Sequence, residues 1–268
     1  MSLVNAREGV SGSVSSLPLY QGRQEKAFIN QGMNTSNVLG DFRAGKGDSM
    51  GKAAAIIHTT SATIEALKNL LKGMMPELAV RNYLDESLLP EINQAGRITE
   101  NVRRRFFSLA QEAALAGPDA MICACSSLGE LVEEARNIFP MLFLRIDEPM
   151  ARQAARMGGS VMVCATLPST LRPTLSLIRR MAGELHSDMQ LESLLMKDAG
   201  ELLAKCDFAG YDTLLQKCFL KIAQEKDMIV LAQASMARAA ASLPEVYRGK
   251  FLTSPESGLQ ALVDLLSR

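Results

Sequence analysis

The run Pro118-Asp119-Ala120-Met121-Ile122-Cys123-Ala124-Cys125-Ser126-Ser127-Leu128-Gly129-Glu130 constrains the fold more than any other stretch of the chain. Its first half is apolar without helical spacing, so it reads as a parallel strand buried on both faces. Its second half opens an amphipathic helix over 126–139. A strand that ends where a helix begins places Cys125, Ser126 and Ser127 in the crevice where open α/β sheets bind ligands. The free N–H groups and dipole of a helix start favour an anion and lower the pKa of a thiol, which makes Cys125 the candidate reactive group. Cys123, two residues earlier and on the same strand face, reads as a small inert hydrophobe.

The surrounding chain repeats one rhythm. A strand over 53–58 is followed by a hydroxyl-rich turn at Thr59, Thr60, Ser61 and Thr63, then by a helix that Gly73 and Pro76 end. Next come a strand over 78–84, a loop-like stretch over 88–98 with Pro90 and Gly96, and a long helix over 99–116. The cysteine strand and its helix precede a strand over 141–146, which closes on Asp147-Glu148-Pro149. The pattern then restarts with a strand over 160–164, a turn holding Thr166, Ser169 and Thr170, a helix over 171–181 and a loop over 187–199. A helix over 209–225 carries Tyr211, Asp212 and Cys218. A strand over 227–232 leads into Gln233-Ala234-Ser235, which mirrors the stretch around Cys125. A short strand over 251–254 ends at Ser254, the expected cap of a helix over 255–266.

The fold class expected is α/β, with two similar Rossmann-like lobes and parallel sheets over 50–158 and 159–250. The strand and helix of 251–268 could return to the first lobe. Switch-point loops facing each other would enclose one small polar pocket. Residues 1–49 are rich in Ser, Gly, Asn and Gln and lack sustained periodicity, as expected of a flexible arm or a non-native leader. The glycines of 45–52 precede the first strand and match no phosphate-loop spacing, so no nucleotide site is assigned there.

Composition excludes several classes. With 29 basic and 29 acidic residues the chain shows no nucleic-acid footprint and no polybasic membrane surface. No apolar run approaches a membrane span, and a cytoplasmic protein is expected. The five cysteines, at 123, 125, 164, 206 and 218, form no secreted framework and no pair of zinc knuckles. With only His58 and His186 to help, neither a metal nor another cofactor is assigned. His58 stands at a strand end, where it reads equally as a pocket residue or as a hydrogen-bonded structural one. Asp147 before Pro149 reads as a turn residue, and Asp212 either reaches the pocket or caps its helix.

Three stretches in register resemble the aspartate/glutamate/hydantoin racemase superfamily: Ala124-Cys125-Ser126-Ser127-Leu128-Gly129, Ala165-Thr166-Leu167-Pro168-Ser169-Thr170 and Leu231-Ala232-Gln233-Ala234-Ser235-Met236. The resemblance implies two lobes related by a pseudo-dyad, with a cysteine from each exchanging a proton next to a carboxylate without cofactor. It also implies a homodimer or higher homo-oligomer and a small carboxylic acid substrate. Thr59, Thr60, Ser126, Ser127, Thr166, Ser169, Thr170 and Ser235 are the hydroxyls placed to hold that substrate or to cap helices. The chain departs from the pattern at the second cysteine, where it has Gln233. Glutamine is neither acid nor base in the relevant pH range but can donate a hydrogen bond to a carboxylate. The function expected is a racemase-like isomerase working through Cys125. The alternatives are a single-cysteine decarboxylase or lyase and a non-catalytic metabolite-binding protein.

Overall fold

A computed structural model describes residues 51–268. The arm expected over 1–49 and most of the glycine cluster of 45–52 lie outside the described residues. The first lobe runs β1 (Ala53–His58), α1 (Ala62–Met74), β2 (Ala79–Leu84), α2 (Leu88–Ala95), α3 (Glu100–Leu115) and β3 (Ala120–Cys123). A 3-10 turn (Ser126–Leu128) then leads to α4 (Gly129–Ala135), β4 (Leu142–Arg145) and α5 (Glu148–Met157). The second lobe runs β5 (Ser160–Ala165), α6 (Pro168–Glu184), β6 (Gln190–Leu195), α7 (Lys197–Ala204), α8 (Phe208–Glu225) and β7 (Met228–Leu231). A second 3-10 turn (Ala234–Met236) precedes α9 (Ala237–Ala241), α10 (Glu245–Arg248), β8 (Phe251–Thr253) and α11 (Ser254–Leu266).

Each lobe holds a four-stranded sheet with all pairings parallel, in the orders β2-β1-β3-β4 and β6-β5-β7-β8. The two orders are the same walk through the sheet, so the fold is α/β with two similar lobes. The apolar runs form the two inner strands of each sheet because helices cover both faces. Val161, Val163 and Ala165 of β5 enter one core while Met162 and Cys164 enter the other, the period of two that a pleated strand imposes.

Two helices cross between the lobes. Met150, Ala151, Ala154 and Ala155 of α5 share a core with Val161, Val163, Met228 and Val230 of the second sheet. Leu259, Leu262 and Leu266 of α11 share a core with Ala54, Ile56, Ala120 and Ile122 of the first. Gly158 and Gly159 join α5 to β5 with φ of 63° and 73°, a left-handed pair that residues with a Cβ enter at a cost.

The structure corrects several expectations. The stretch 88–98 is not a loop: Pro90 lies in the first turn of α2, where a missing N–H costs nothing, and Gly96 is its left-handed C-cap at φ 66°. The expected loop of 187–199 contains β6, an edge strand of half-buried residues whose polar side chains mask the pattern. The chain beyond Asp147 continues as α5 with Pro149 in its first turn. The single helix expected over 126–139 is a 3-10 turn followed by the short α4, since the Leu128 N–H bonds the Cys125 carbonyl at 3.1 Å. The cap position of α11 is Thr253, and Ser254 is the buried first residue of that helix.

Because α11 completes the first core, Leu262→Ala is expected to cost about 2–5 kcal/mol in urea unfolding. Met157→Ala, at a position 61% exposed, should stay within about 0.5 kcal/mol. Equal small effects would mean that α11 does not carry that core.

Candidate active site

The site follows from strand register. On adjacent β1 and β3, Ile57 lies opposite Cys123, so Thr59 and Cys125, each two residues further on, come to the same level and face. The Thr59 hydroxyl, the Ser127 hydroxyl and the backbone N–H groups of Ser127 and Leu128 are aimed at the Cys125 sulfur. The 3-10 turn makes this possible: Cys125 is extended, at φ −130° and ψ 111°, and the turn folds the next N–H groups back over its side chain.

The second lobe repeats the arrangement with different chemistry. Cys164 of β5 lies opposite Leu231 of β7, so Thr166 and Gln233 meet as Thr59 and Cys125 do. Gln233 starts its own 3-10 turn at φ −132° and ψ 135°, nearly the backbone conformation of Cys125. Its Oε1 accepts from the Thr166 backbone N–H at 2.6 Å and from the Thr166 hydroxyl at 2.9 Å. A backbone N–H can only donate, so these bonds fix which end of the carboxamide is oxygen. The Gln233 NH2 is thereby turned away from Thr166 with both of its donors.

The lobes meet beside the thiol. Ser127 and Thr170 hydroxyls lie 3.3 Å apart in a buried contact, and the Ser169 hydroxyl donates to Asn93 of α2 at 2.5 Å. Neither Ser169 nor Thr170 caps α6, whose cap position is Leu167. Ser126 is the buried first residue of the turn after Cys125. Thr60 belongs to the turn before α1, where its carbonyl accepts from the Thr63 hydroxyl at 3.0 Å. Ser235 stands in the second turn as Ser127 does in the first, and its hydroxyl lies 3.0 Å from that of Tyr211. Tyr211, fully buried on α8, is a neighbour that helical spacing placed in the core without revealing that its hydroxyl seeks a partner.

Beneath the Cys125 turn lies an ion network that sequence reasoning missed. The Arg145 guanidinium, 4% exposed, donates from Nε and Nη2 to the two oxygens of Asp147, each at 3.0 Å, and from Nη1 to Glu133 at 2.5 Å. Arg180 of α6 reaches the same Glu133 oxygen at 2.8 Å and so ties the second lobe to the first. Burial disfavours the Arg145 charge, but the two carboxylates outweigh it and hold the guanidinium protonated. The guanidinium occupies the space that a Cβ at residue 129 would take, which is why a glycine follows Leu128. Asp147, read from the sequence as a turn residue, is instead the fully buried partner of Arg145. Asp212 pairs with Arg238 at 2.6 Å and neither caps its helix nor enters the site. Asp85 pairs with Arg105 at 2.7 Å.

His58 is held at both ring nitrogens, by Thr63 Oγ1 at 2.8 Å and by Asn82 Oδ1 at 2.9 Å. Burial lowers its pKa from the ordinary 6.5, so it is a neutral structural side chain. Cys123 is buried, with its sulfur 3.7 Å from the Cys125 carbonyl oxygen, and Cys164 lies in the second core. Burial raises both thiols. Among the described residues no group of three or more His, Cys, Asp or Glu is placed to hold a metal ion, and no helix is long and apolar enough to cross a membrane. Two surface hollows, of about 830 and 760 Å³, are lined by Arg136, Leu142 and Arg156 and by Leu84, Arg105 and Glu112 respectively, and neither lining includes Cys125 or Gln233.

The direction at Cys125, a half-buried residue, runs against the expected lowering. Burial pushes the thiol up from its ordinary 9.0, and the Thr59, Ser127 and Leu128 donors offset only part of the rise. Peptide-resolved alkylation is therefore expected to modify Cys125 slowly at neutral pH, at a rate still climbing beyond about pH 9. Thr59→Val should slow it further. A plateau below about pH 8 would show a stabilised thiolate instead.

Known proteins place this geometry. The family model described as Asp/Glu/Hydantoin racemase matches residues 56–261. No curated protein sequence matches the chain. Similar solved structures include a glutamate racemase isoform from Bacillus anthracis, with TM-score 0.65, 14% identity and coverage of 81% of this chain and 82% of that one. An aspartate racemase from Picrophilus torridus aligns with TM-score 0.64 and 13% identity, over 81% of this chain and 95% of that one. An allantoin racemase from Klebsiella pneumoniae aligns with TM-score 0.54 and 16% identity, over 81% and 88%. At such identities the structures speak for the fold. The family model spans most of the chain and includes both 3-10 turns, so the chain belongs to the Asp/Glu/hydantoin racemase family.

Proposed function

We propose that this chain is a cofactor-independent, racemase-like enzyme in which Cys125 transfers a proton to or from the carbon next to a carboxylate of a small acid. One observation carries the reading: the only thiol at the two equivalent turns is surrounded by donors, and the opposite position holds an amide whose oxygen is already engaged. In the protonating direction the S–H bond breaks, its electron pair stays on sulfur, and a C–H bond forms with the pair of an enediolate-like carbanion. The new thiolate is held by Thr59, Ser127 and Leu128, which act where the negative charge appears. In reverse the thiolate takes the proton and the charge moves to the carboxylate, where the Gln233 NH2 donates. The substrate replaces the Ser127–Thr170 contact at the lobe junction.

A thiol that rests protonated favours a second reading, decarboxylation. There the C–C bond to the departing carbon dioxide breaks, its pair remains on the α-carbon, and Cys125 supplies the proton before water restores the thiol. Both readings are one-sided, because Gln233 has no proton to exchange on the other face.

Deuterium incorporation from D2O, followed by NMR over a panel of malonates, hydroxy acids and amino acids, tests the proposal. At least one acid should exchange or decarboxylate, and Cys125→Ala should lower that rate by at least about 10³-fold. Turnover that survives Cys125→Ala, or ligand-dependent stabilisation without any conversion, would overturn it.

A further inference from the structure

The Ser127–Thr170 contact joins the two lobes beside the Cys125 turn, and both residues are buried. Its oxygen separation of 3.3 Å is long for a pair of hydroxyls, so the bond adds little to stability. Two apolar side chains of the same shape would pack there at little cost. The value of the pair lies in where it sends a proton.

Thr170 is held in place from several sides. Its N–H donates to the Leu167 carbonyl at 3.2 Å, and its own carbonyl accepts from the buried Thr174 hydroxyl at 2.9 Å. On either side of it α6 is pinned to the first lobe, by Ser169 to Asn93 and by Arg180 to Glu133. The Thr170 hydroxyl has one partner among the described residues, the Ser127 oxygen. The Ser127 hydroxyl has two, Thr170 Oγ1 and the Cys125 sulfur at which it is aimed. Each hydroxyl carries a single proton. Thr170 meets no other acceptor among these residues, so it gives its proton to Ser127, and the Ser127 proton is left for the sulfur.

We infer that Thr170 is a positioning residue for Cys125: reaching from the second lobe, it donates to Ser127 and so turns the Ser127 hydroxyl toward the sulfur. This rests on the proposed reading of Cys125 as the acting thiol. Donors in series strengthen one another, so the pair stabilises a thiolate more than Ser127 does alone. In the proposed reaction a substrate takes the place of this contact, so the relay belongs to the ligand-free site, where it sets the sulfur before binding.

Peptide-resolved alkylation of Cys125 in the ligand-free full chain, followed against pH, tests the inference. Thr170→Val should move the profile upward by at least about 0.3 pH units, and Thr170→Ser should restore the wild-type position. In a Ser127→Ala background Thr170→Val should move it no further. The ionisable groups on the elements around the turn, Cys123, His58, Glu133, Arg145, Asp147 and Arg180, are the same in every variant, so a shift reports the hydroxyl pair. An unmoved profile in Thr170→Val would overturn the inference, as would an equal shift in the Ser127→Ala background, which would mean that Thr170 acts by packing. Should Thr170→Val fail to fold, Thr170→Ala carries the same expectations. Deuterium exchange that needs Cys125 while alkylation ignores Thr170 would sink the relay alone. A profile that follows Thr170 with no acid ever converted would leave the relay standing and sink the proposed catalysis.

Discussion

The pairing of a threonine at the end of one parallel strand with the residue that starts a 3-10 turn after its neighbour is the constraint on which the site depends. Register sets it: Ile57 against Cys123 in one sheet and Cys164 against Leu231 in the other. Parallel strands keep side chains of paired residues on the same face, so two residues further on Thr59 meets Cys125 and Thr166 meets Gln233. A slip of one residue in either sheet would turn these side chains to the opposite face and dissolve the half-site. The apolar strands that hold the register are therefore as much part of the chemistry as the polar residues beyond them.

Beneath the Cys125 turn, buried charge holds the elements together. Arg145 fills the space under Gly129, is held by Asp147 and Glu133, and reaches the second lobe through Glu133 and Arg180. Removing one member would strand the others in a low-dielectric interior, a loss far larger than that of a surface pair. Cys125, half-buried beside this network, has its thiol pushed up from the ordinary value by burial.

Much of the architecture was legible in the sequence because it is written in local patterns. Short apolar runs gave the inner strands, and hydroxyl-rich turns after β1 and β5 marked the switch points. The serines after Cys125 marked it as the thiol at a strand end. What stayed hidden depends on distant partners. Pro90 and Gly96 read as breakers until they are seen to begin and end α2, and β6 is half polar because it is an edge. Asp147 resembles any acid before a proline until Arg145 is placed beside it. The Ser235–Tyr211 contact and the pKa of Cys125 share this character, since hydroxyl pairing and burial depend on elements far apart in the chain. Gln233 was visible as a departure from the two-cysteine pattern, but the direction of its amide emerged only from the Thr166 N–H.

The central proposal is that proton traffic runs on one face only, because one of the two equivalent turns carries a thiol and the other an amide. The most direct measurement follows deuterium incorporation and optical purity together, for one enantiopure substrate in D2O, in the wild type and in Gln233→Cys. The account predicts that the wild type incorporates deuterium while optical purity is retained, and that Gln233→Cys, with a second thiol in the equivalent turn, begins to racemise. Wild-type racemisation as fast as deuterium enters would contradict it, since a second acid would then have to act opposite Cys125.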